Sequence, residues 1–180
     1  GAAGIAKCWG INSHGELGNH ATIDSSVPRL VSADGTSALV GITTISAGTG
    51  FACATLTDRG VHCWGDNTSG QLGDGTGTPS PAPVTVMDGT HQLSNVTQVS
   101  AGRGSACAVT AAGRVWCWGA NTFGQLGNNT LVNASVPVTV RAVGAPVGST
   151  TPLTGVIGIA AGSTQSCALI SDGTARCWGG

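Results

Sequence analysis

The undecapeptide CWGDNTSGQLG, residues 63–73, occurs twice more with light changes, as CWGINSHGELG at 8–18 and as CWGANTFGQLG at 117–127. A fourth copy opens at Cys177 and reads CWGG. In register, the Cys-Trp-Gly triplets lie 55, 54 and 60 residues apart, a period in the range of propeller blades and repeat arrays. Repetition itself favours structural roles, since one active site does not need three copies of its residues.

The same parts recur in the same order within each period. After the motif comes a variable polar loop, then a proline-marked segment: VPRLV at 27–31, APVTV at 82–86 and VPVTV at 136–140. A second loop leads to an apolar segment ending in Ala-Gly, namely ITTISAG at 42–48, VTQVSAG at 96–102 and VIGIAAG at 156–162. A hairpin closes the period, with Asp-Arg-Gly, Ala-Ala-Gly or Ser-Asp-Gly between alternating segments and glycine expected to supply the positive φ of the turn. Four short strands per period make a propeller blade, so the expected fold is all-β, about three four-stranded blades that start and end mid-blade. The expected units are 1–18 (end of a preceding blade and its turn motif), 19–65, 66–119 and 120–180, in one continuous array. Within the motif, Trp9, Trp64, Trp118 and Trp178 supply large apolar anchors. Gly70, Gly73, Gly124 and Gly127 permit tight turns and close backbone approach, and Leu72 and Leu126 plug the core between neighbouring units.

Composition narrows the function. Seven Lys plus Arg and eight Asp plus Glu make 8% charged residues, against roughly 25% in an average soluble protein. With a net charge of −1 and no basic run, the chain lacks the footprint of a nucleic-acid or anionic-membrane binder. No apolar run approaches the ~18 residues of a spanning helix, so membrane insertion is not expected either.

The pattern W-G-x-N-x-x-G-Q-L-G, preceded by A-G-x-x-x-x-C-A-L-x-x-x-G-x-V-x-C-W-G, resembles the repeat of the regulator-of-chromosome-condensation family over essentially the whole chain. That resemblance implies blades of a seven-bladed β-propeller. Its implications for function are broad: a GTPase exchange factor that binds chromatin, enzyme-associated modules, secreted inhibitors and surface proteins. The histidine that the family often carries after its Ala-Gly-Gly is replaced here by Phe51, Ser105 and Gln165, so no role is carried over from it.

Six of the seven cysteines fall into pairs ten residues apart across the hairpin turn: Cys53 and Cys63, Cys107 and Cys117, Cys167 and Cys177. Such positions face each other on adjacent antiparallel strands. Three in-blade disulfides are expected, the alternatives being reduced core cysteines or a metal site. Zinc fits poorly, because the spacing lacks C-x-x-C knuckles and the four histidines fall at unrelated repeat positions. Disulfides imply an oxidising compartment, extracellular or cell-surface, and weigh against a nuclear exchange factor. Cys8 is left unpaired, or intermolecular.

Internal alignment also tests for chemistry. His62 aligns with Lys7, Trp116 and Arg176, which reads as an exposed strand face; His14, His20 and His91 sit in turns or loops. Asp58 and Asp172 are turn residues. Asp66 and Asp74 border a glycine-rich turn, yet Ile11 and Asn19, then Ala120 and Asn128, replace them in register, against a repeated calcium site. No catalytic residues, cofactor or metal are expected. Four N-x-[ST] triplets, at Asn67, Asn95, Asn128 and Asn133, are candidate N-glycosylation acceptors. The expected function is a non-catalytic extracellular structural or binding module whose variable loops, 19–41, 74–95 and 128–155, contact a protein partner. The alternatives are a filament subunit that self-associates head-to-tail through open blade edges, and a secreted inhibitor with Phe51 and Phe123 as aromatic anchors. An exchange-factor-like propeller is the third.

Overall fold

The computed structural model describes residues 4–142, 144 and 149–180. Fourteen strands follow in chain order, with no helix among the described residues: β1 (Gly4–Ile5), β2 (Lys7–Gly10), β3 (Ser25–Leu30), β4 (Val40–Ala47), β5 (Phe51–Leu56), β6 (Val61–Gly65), β7 (Ser80–Thr85), β8 (Val96–Ala101), β9 (Ser105–Thr110), β10 (Val115–Gly119), β11 (Ala134–Thr139), β12 (Val156–Ala161), β13 (Gln165–Ile170) and β14 (Ala175–Gly179). Two complete antiparallel blades, β4-β5-β6-β7 and β8-β9-β10-β11, lie between a two-stranded sheet, β2-β3, and a three-stranded one, β12-β13-β14. Strand β1 adds to the free edge of β4. The propeller-type, all-β fold with a partial blade at each end is as the repeats imply; the complete blades number two.

The sheets cut across the sequence units. Each of 19–65, 66–119 and 120–180 supplies the fourth strand of one sheet (β3, β7 or β11) and the first three strands of the next. Those fourth strands are outermost and carry Pro28, Pro83 and Pro137 in the same repeat position. Proline removes a donor from the exposed edge and so guards it against further strand addition.

The hairpins place Cys53 opposite Cys63, Cys107 opposite Cys117 and Cys167 opposite Cys177. All three pairs are bonded, with Cα–Cα separations of 4.1, 4.0 and 4.1 Å. Because side chains alternate along a strand, the Ala-Cys-Ala run of β9 turns Cys107 to one face and Ala106 and Ala108 to the other. The alanines join the cluster of the preceding disulfide, with Cys53, Cys63, Val61 and Trp118. Cys107 and Cys117 join the next cluster, with Val109, Ile159 and Ala168. The first two cystines thus meet small side chains of the following sheet, which lets the blades stack closely.

Trp64 and Trp118 are fully buried. Their indole Nε1 groups donate to the carbonyls of Glu16 and Gln71 at 3.0 and 2.9 Å, and Trp178 does the same to Gln125 at 2.9 Å. Each tryptophan therefore clamps the turn of the preceding copy of the motif. Gly73 must be glycine for this reason, since a Cβ there would sit 2.9 Å from the Trp118 ring. Trp9 lacks such a neighbour among the described residues and is 64% exposed.

One hairpin departs from expectation. The positive φ falls on Gly113 and Gly173 in the second and third hairpins but on Arg59, at 63°, in the first. Gly60 takes the position that Arg114 and Thr174 hold in the other hairpins, beneath the side-chain amide of Gln92. Left-handed backbone costs a non-glycine residue about 1 kcal/mol. Arg59→Gly is therefore expected to raise unfolding stability by about 1 kcal/mol in urea titrations, and an unchanged midpoint would refute the strain.

Candidate interaction surface

Strand alternation sends the turns of each blade to two opposite faces. One, the motif face, carries the short turns at 48–50, 102–104 and 162–164 and the loops at 11–24, 66–79 and 120–133. The other, the connector face, carries the hairpin turns and the segments 31–39, 86–95, 140–142 and 149–155. The stretches 19–41, 74–95 and 128–155 are each divided by an outer strand, so each contributes one arm to either face. Of the last, residues 143 and 145–148 lie outside the described residues.

The motif-face loops are wound around a buried asparagine. Asn67 is fully buried; its Oδ1 accepts from Leu72 N at 2.9 Å, and its Nδ2 donates to Asp74 Oδ1, Thr76 Oγ1 and Thr78 O at 3.1, 3.0 and 3.1 Å. Asn121 repeats the arrangement with Leu126 N, Asn128 Oδ1, Thr130 O and Val132 O. Asn12 does so with Leu17 N, Ala21 O and Ile23 O. Every donor and acceptor of the amide is used, so a loop without regular structure is held rigid.

Two expectations fail at this point. Asn67 is no glycan acceptor in the folded chain, because its amide is the hub of the loop. Phe51 is no exposed anchor: it is 2% exposed, lying over Gly48. Phe123, at 55%, remains on the motif face with Ile23, Leu131 and Val132, which are also exposed.

The side chains capable of catalysis are dispersed. Asp58 Oδ1 accepts from Gly60 N, Asp172 Oδ1 from Thr174 N, Asp74 Oδ1 from Thr76 N and Asp66 Oδ1 from Thr68 N. Each carboxylate braces its own turn. Turn hydrogen bonds from Thr174 hold the Asp172 carboxyl below the usual carboxylate range. Among the described residues, no three His, Cys, Asp or Glu side chains gather as a metal site would require. His14 pairs with Glu16 at 3.3 Å on the surface, His20 adopts positive φ in a turn, and His91 accompanies Thr90 in a connector.

His62 corrects a further expectation, since it is half-buried and not on an exposed face; its Nδ1 is buried without a hydrogen-bond partner. Burial pushes its pKa down, against the upward pull of Asp58. With the folded pKa depressed, the unfolded chain takes up the proton first as pH falls below about 6.5, and stability is lost in that window. The thermal midpoint is expected to drop between pH 7 and pH 5 in the parent and to drop less in His62→Leu. Parallel losses in both proteins would show the imidazole to be uninvolved.

Two grooves flank the complete blades. One of about 800 Å³, lined by Cys8, Trp9, Ile45 and Phe51 among others, runs beside β2 where β5 runs beside β6. The second, about 600 Å³ and bounded by Phe123, Leu131 and Trp178, runs beside β14 where β7 and β11 run beside β6 and β10. The Cys8 thiol is unpaired and half-buried, and burial raises its pKa.

Comparison with known proteins gives a consistent result. The regulator of chromosome condensation (RCC1) repeat model matches residues 8–55, 59–109 and 112–169. The chain is 31% identical over 182 residues to the mitochondrial RCC1 domain-containing protein RUG3 of Arabidopsis thaliana, covering 99% of the chain and 35% of that protein. It is 30% identical over 181 residues to the mouse E3 ubiquitin-protein ligase HERC2, covering 99% of the chain and 4% of that protein. Among solved structures, human WBSCR16 superposes with a TM-score of 0.76 at 22% identity, covering 97% of this chain and 42% of that one. Yeast RCC1 (Prp20) bound to Kap60 superposes at 0.70 with 20% identity, covering 98% and 40%. The chain spans less than half the length of each of these relatives.

Proposed function

The chain belongs to the regulator of chromosome condensation (RCC1) repeat family, and we propose that it serves there as a non-catalytic protein-binding segment of an extracellular or cell-surface propeller. The observation that carries this reading is the motif face: loops locked by buried asparagines that hold Ile23, Phe123, Leu131 and Val132 out to solvent. Fixed, exposed apolar side chains lose little entropy on binding, which favours contact with a partner protein. At the level of fold, a protein complex has precedent in the yeast RCC1 structure with Kap60.

The second repeat provides the test, because it carries Ser69, Gly77 and Thr78 where the third carries Phe123, Leu131 and Val132. The triple variant Phe123→Ser, Leu131→Gly, Val132→Thr keeps a loop that this chain already folds. Proteins captured by the parent from the extracellular fraction of its source should be lost by the variant at unchanged melting temperature; equal capture by both would sink the reading.

The extracellular placement rests on the three disulfides. Alkylation of native material without reductant should leave the six hairpin cysteines unlabelled. Labelling of all six would place the chain in a reducing compartment.

Self-association is the second reading, favoured by the grooves beside β2 and β14. The two partial sheets hold two and three strands, one more than the four of a complete blade, so a head-to-tail join must displace a strand. Sedimentation across a concentration series checks it, with concentration-dependent polymer as the outcome in its favour.

A further inference from the structure

We infer that Asn95 is an N-linked glycan acceptor, and that sugar covers the connector face while the motif face stays bare. This rests on the extracellular reading above. Of the four N-x-[ST] triplets, Asn67 is spent as a loop hub. Asn128 Oδ1 accepts from Asn121 Nδ2, Thr130 N and Thr130 Oγ1, and Asn133 Oδ1 accepts from Asn121 N at 2.9 Å. Both are ties to the Asn121 hub. The Asn95 side chain is exposed and makes no hydrogen bond among the described residues.

Its backbone makes the residue choice informative. Asn95 has φ 58°, and the aligned positions in the neighbouring repeats are Gly41, near the start of β4, at 81° and Gly155, just before β12, at 72°. Glycine holds that left-handed conformation without strain, and the sibling repeats use it. Asparagine tolerates the conformation less well and adds no contact here. What it does add is the triplet Asn95-Val96-Thr97. The carbonyl of Asn95 accepts from Ala111 N at 2.8 Å, which holds the backbone, and the residue is exposed on the connector face. A chain with only 8% charged residues also has little else to hydrate that face.

The donor is a polyprenyl-diphosphate-linked oligosaccharide. The Asn95 Nδ2 bonds to the anomeric carbon, the carbon–oxygen bond to the diphosphate breaks with its electron pair leaving on the lipid diphosphate, and one Nδ2 proton passes to a base of the transferase.

The test is secretion of the full chain from a glycosylating host, with glycopeptide mass spectrometry and parallel thiol alkylation. A glycan is expected on Asn95. Asn95→Gly should lose that mass increment while folding as well as the parent, as Gly41 and Gly155 allow. Thr97→Val should lose it with Asn95 intact, and Thr97→Ser should retain it. A secreted, disulfide-bonded chain bare at Asn95 would overturn the assignment and leave the extracellular reading standing. A chain glycosylated at Asn95 whose six hairpin cysteines stay reduced would support the assignment and overturn that reading.

Discussion

Gly102→Ala is expected to destabilise the protein by about 3 kcal/mol, a large penalty for adding one methyl group. A Cβ on Gly102 would lie 2.2 Å from the carbonyl oxygen of Gly162 in the next sheet, and Gly48 stands in the same relation to the carbonyl of Gly102. Neither carbonyl is free to retreat. Thr49 N donates to Gly102 O at 3.0 Å and Arg103 N to Gly162 O at 3.2 Å. The adjacent amides of Ala101 and Ala161 donate to Ser46 Oγ and Ser100 Oγ at 2.9 and 3.0 Å. Relief of the clash must part the innermost strands and break these inter-blade bonds. Urea unfolding of Gly102→Ala beside Gly77→Ala checks this, since a Cβ on Gly77 meets nothing nearer than 3.8 Å. Equal midpoints for the two variants would show that the blades tolerate a wider separation.

Asn67→Ala should cost about 2–4 kcal/mol, from the desolvation of buried groups left without partners. The amide of Leu72 loses its acceptor and the carbonyl of Thr78 loses its donor, and the loop between them loses the atom it is wound around. Asn67→Asp separates the contributions: it keeps an acceptor for Leu72 N but removes both N–H donors of Nδ2 and sets a second carboxylate beside Asp74. It should be as damaging at neutral pH. Hydrogen exchange at residues 72–78 reports the local effect directly. Protection unchanged from the parent in both variants would show that the loop does not depend on the amide.

The repeats made the blade legible in the sequence because strand alternation, turn glycines and the ten-residue cysteine spacing all recur in register. Three aligned copies separate what the fold needs from what one copy happens to carry. The asparagine hub was not legible as such. In a short window, Asn67-Thr68-Ser69 reads as a polar surface triplet, and only the return of the chain at Thr76–Thr78 buries the amide. Arg59 escaped for a related reason: Gly60 satisfies the usual turn rule, yet the left-handed position of this hairpin falls one residue earlier, on Arg59. Phe51 was misplaced as an anchor because its sibling positions, Ser105 and Gln165, are polar; its burial depends on the bare backbone of Gly48 beneath the ring.

The offset between sequence unit and sheet has a genetic consequence. Recombination that excises residues 66–119 would bring β11 to β6, and β11 carries the pairing that β7 supplied, Val138 standing opposite Cys117 as Val84 stands opposite Cys63. No sheet would be left short of a strand. Copy number in such an array can therefore change by whole units, in either direction, through crossovers whose breakpoints fall inside a blade, and each product inherits intact blades without any repair of its hydrogen-bond ladder.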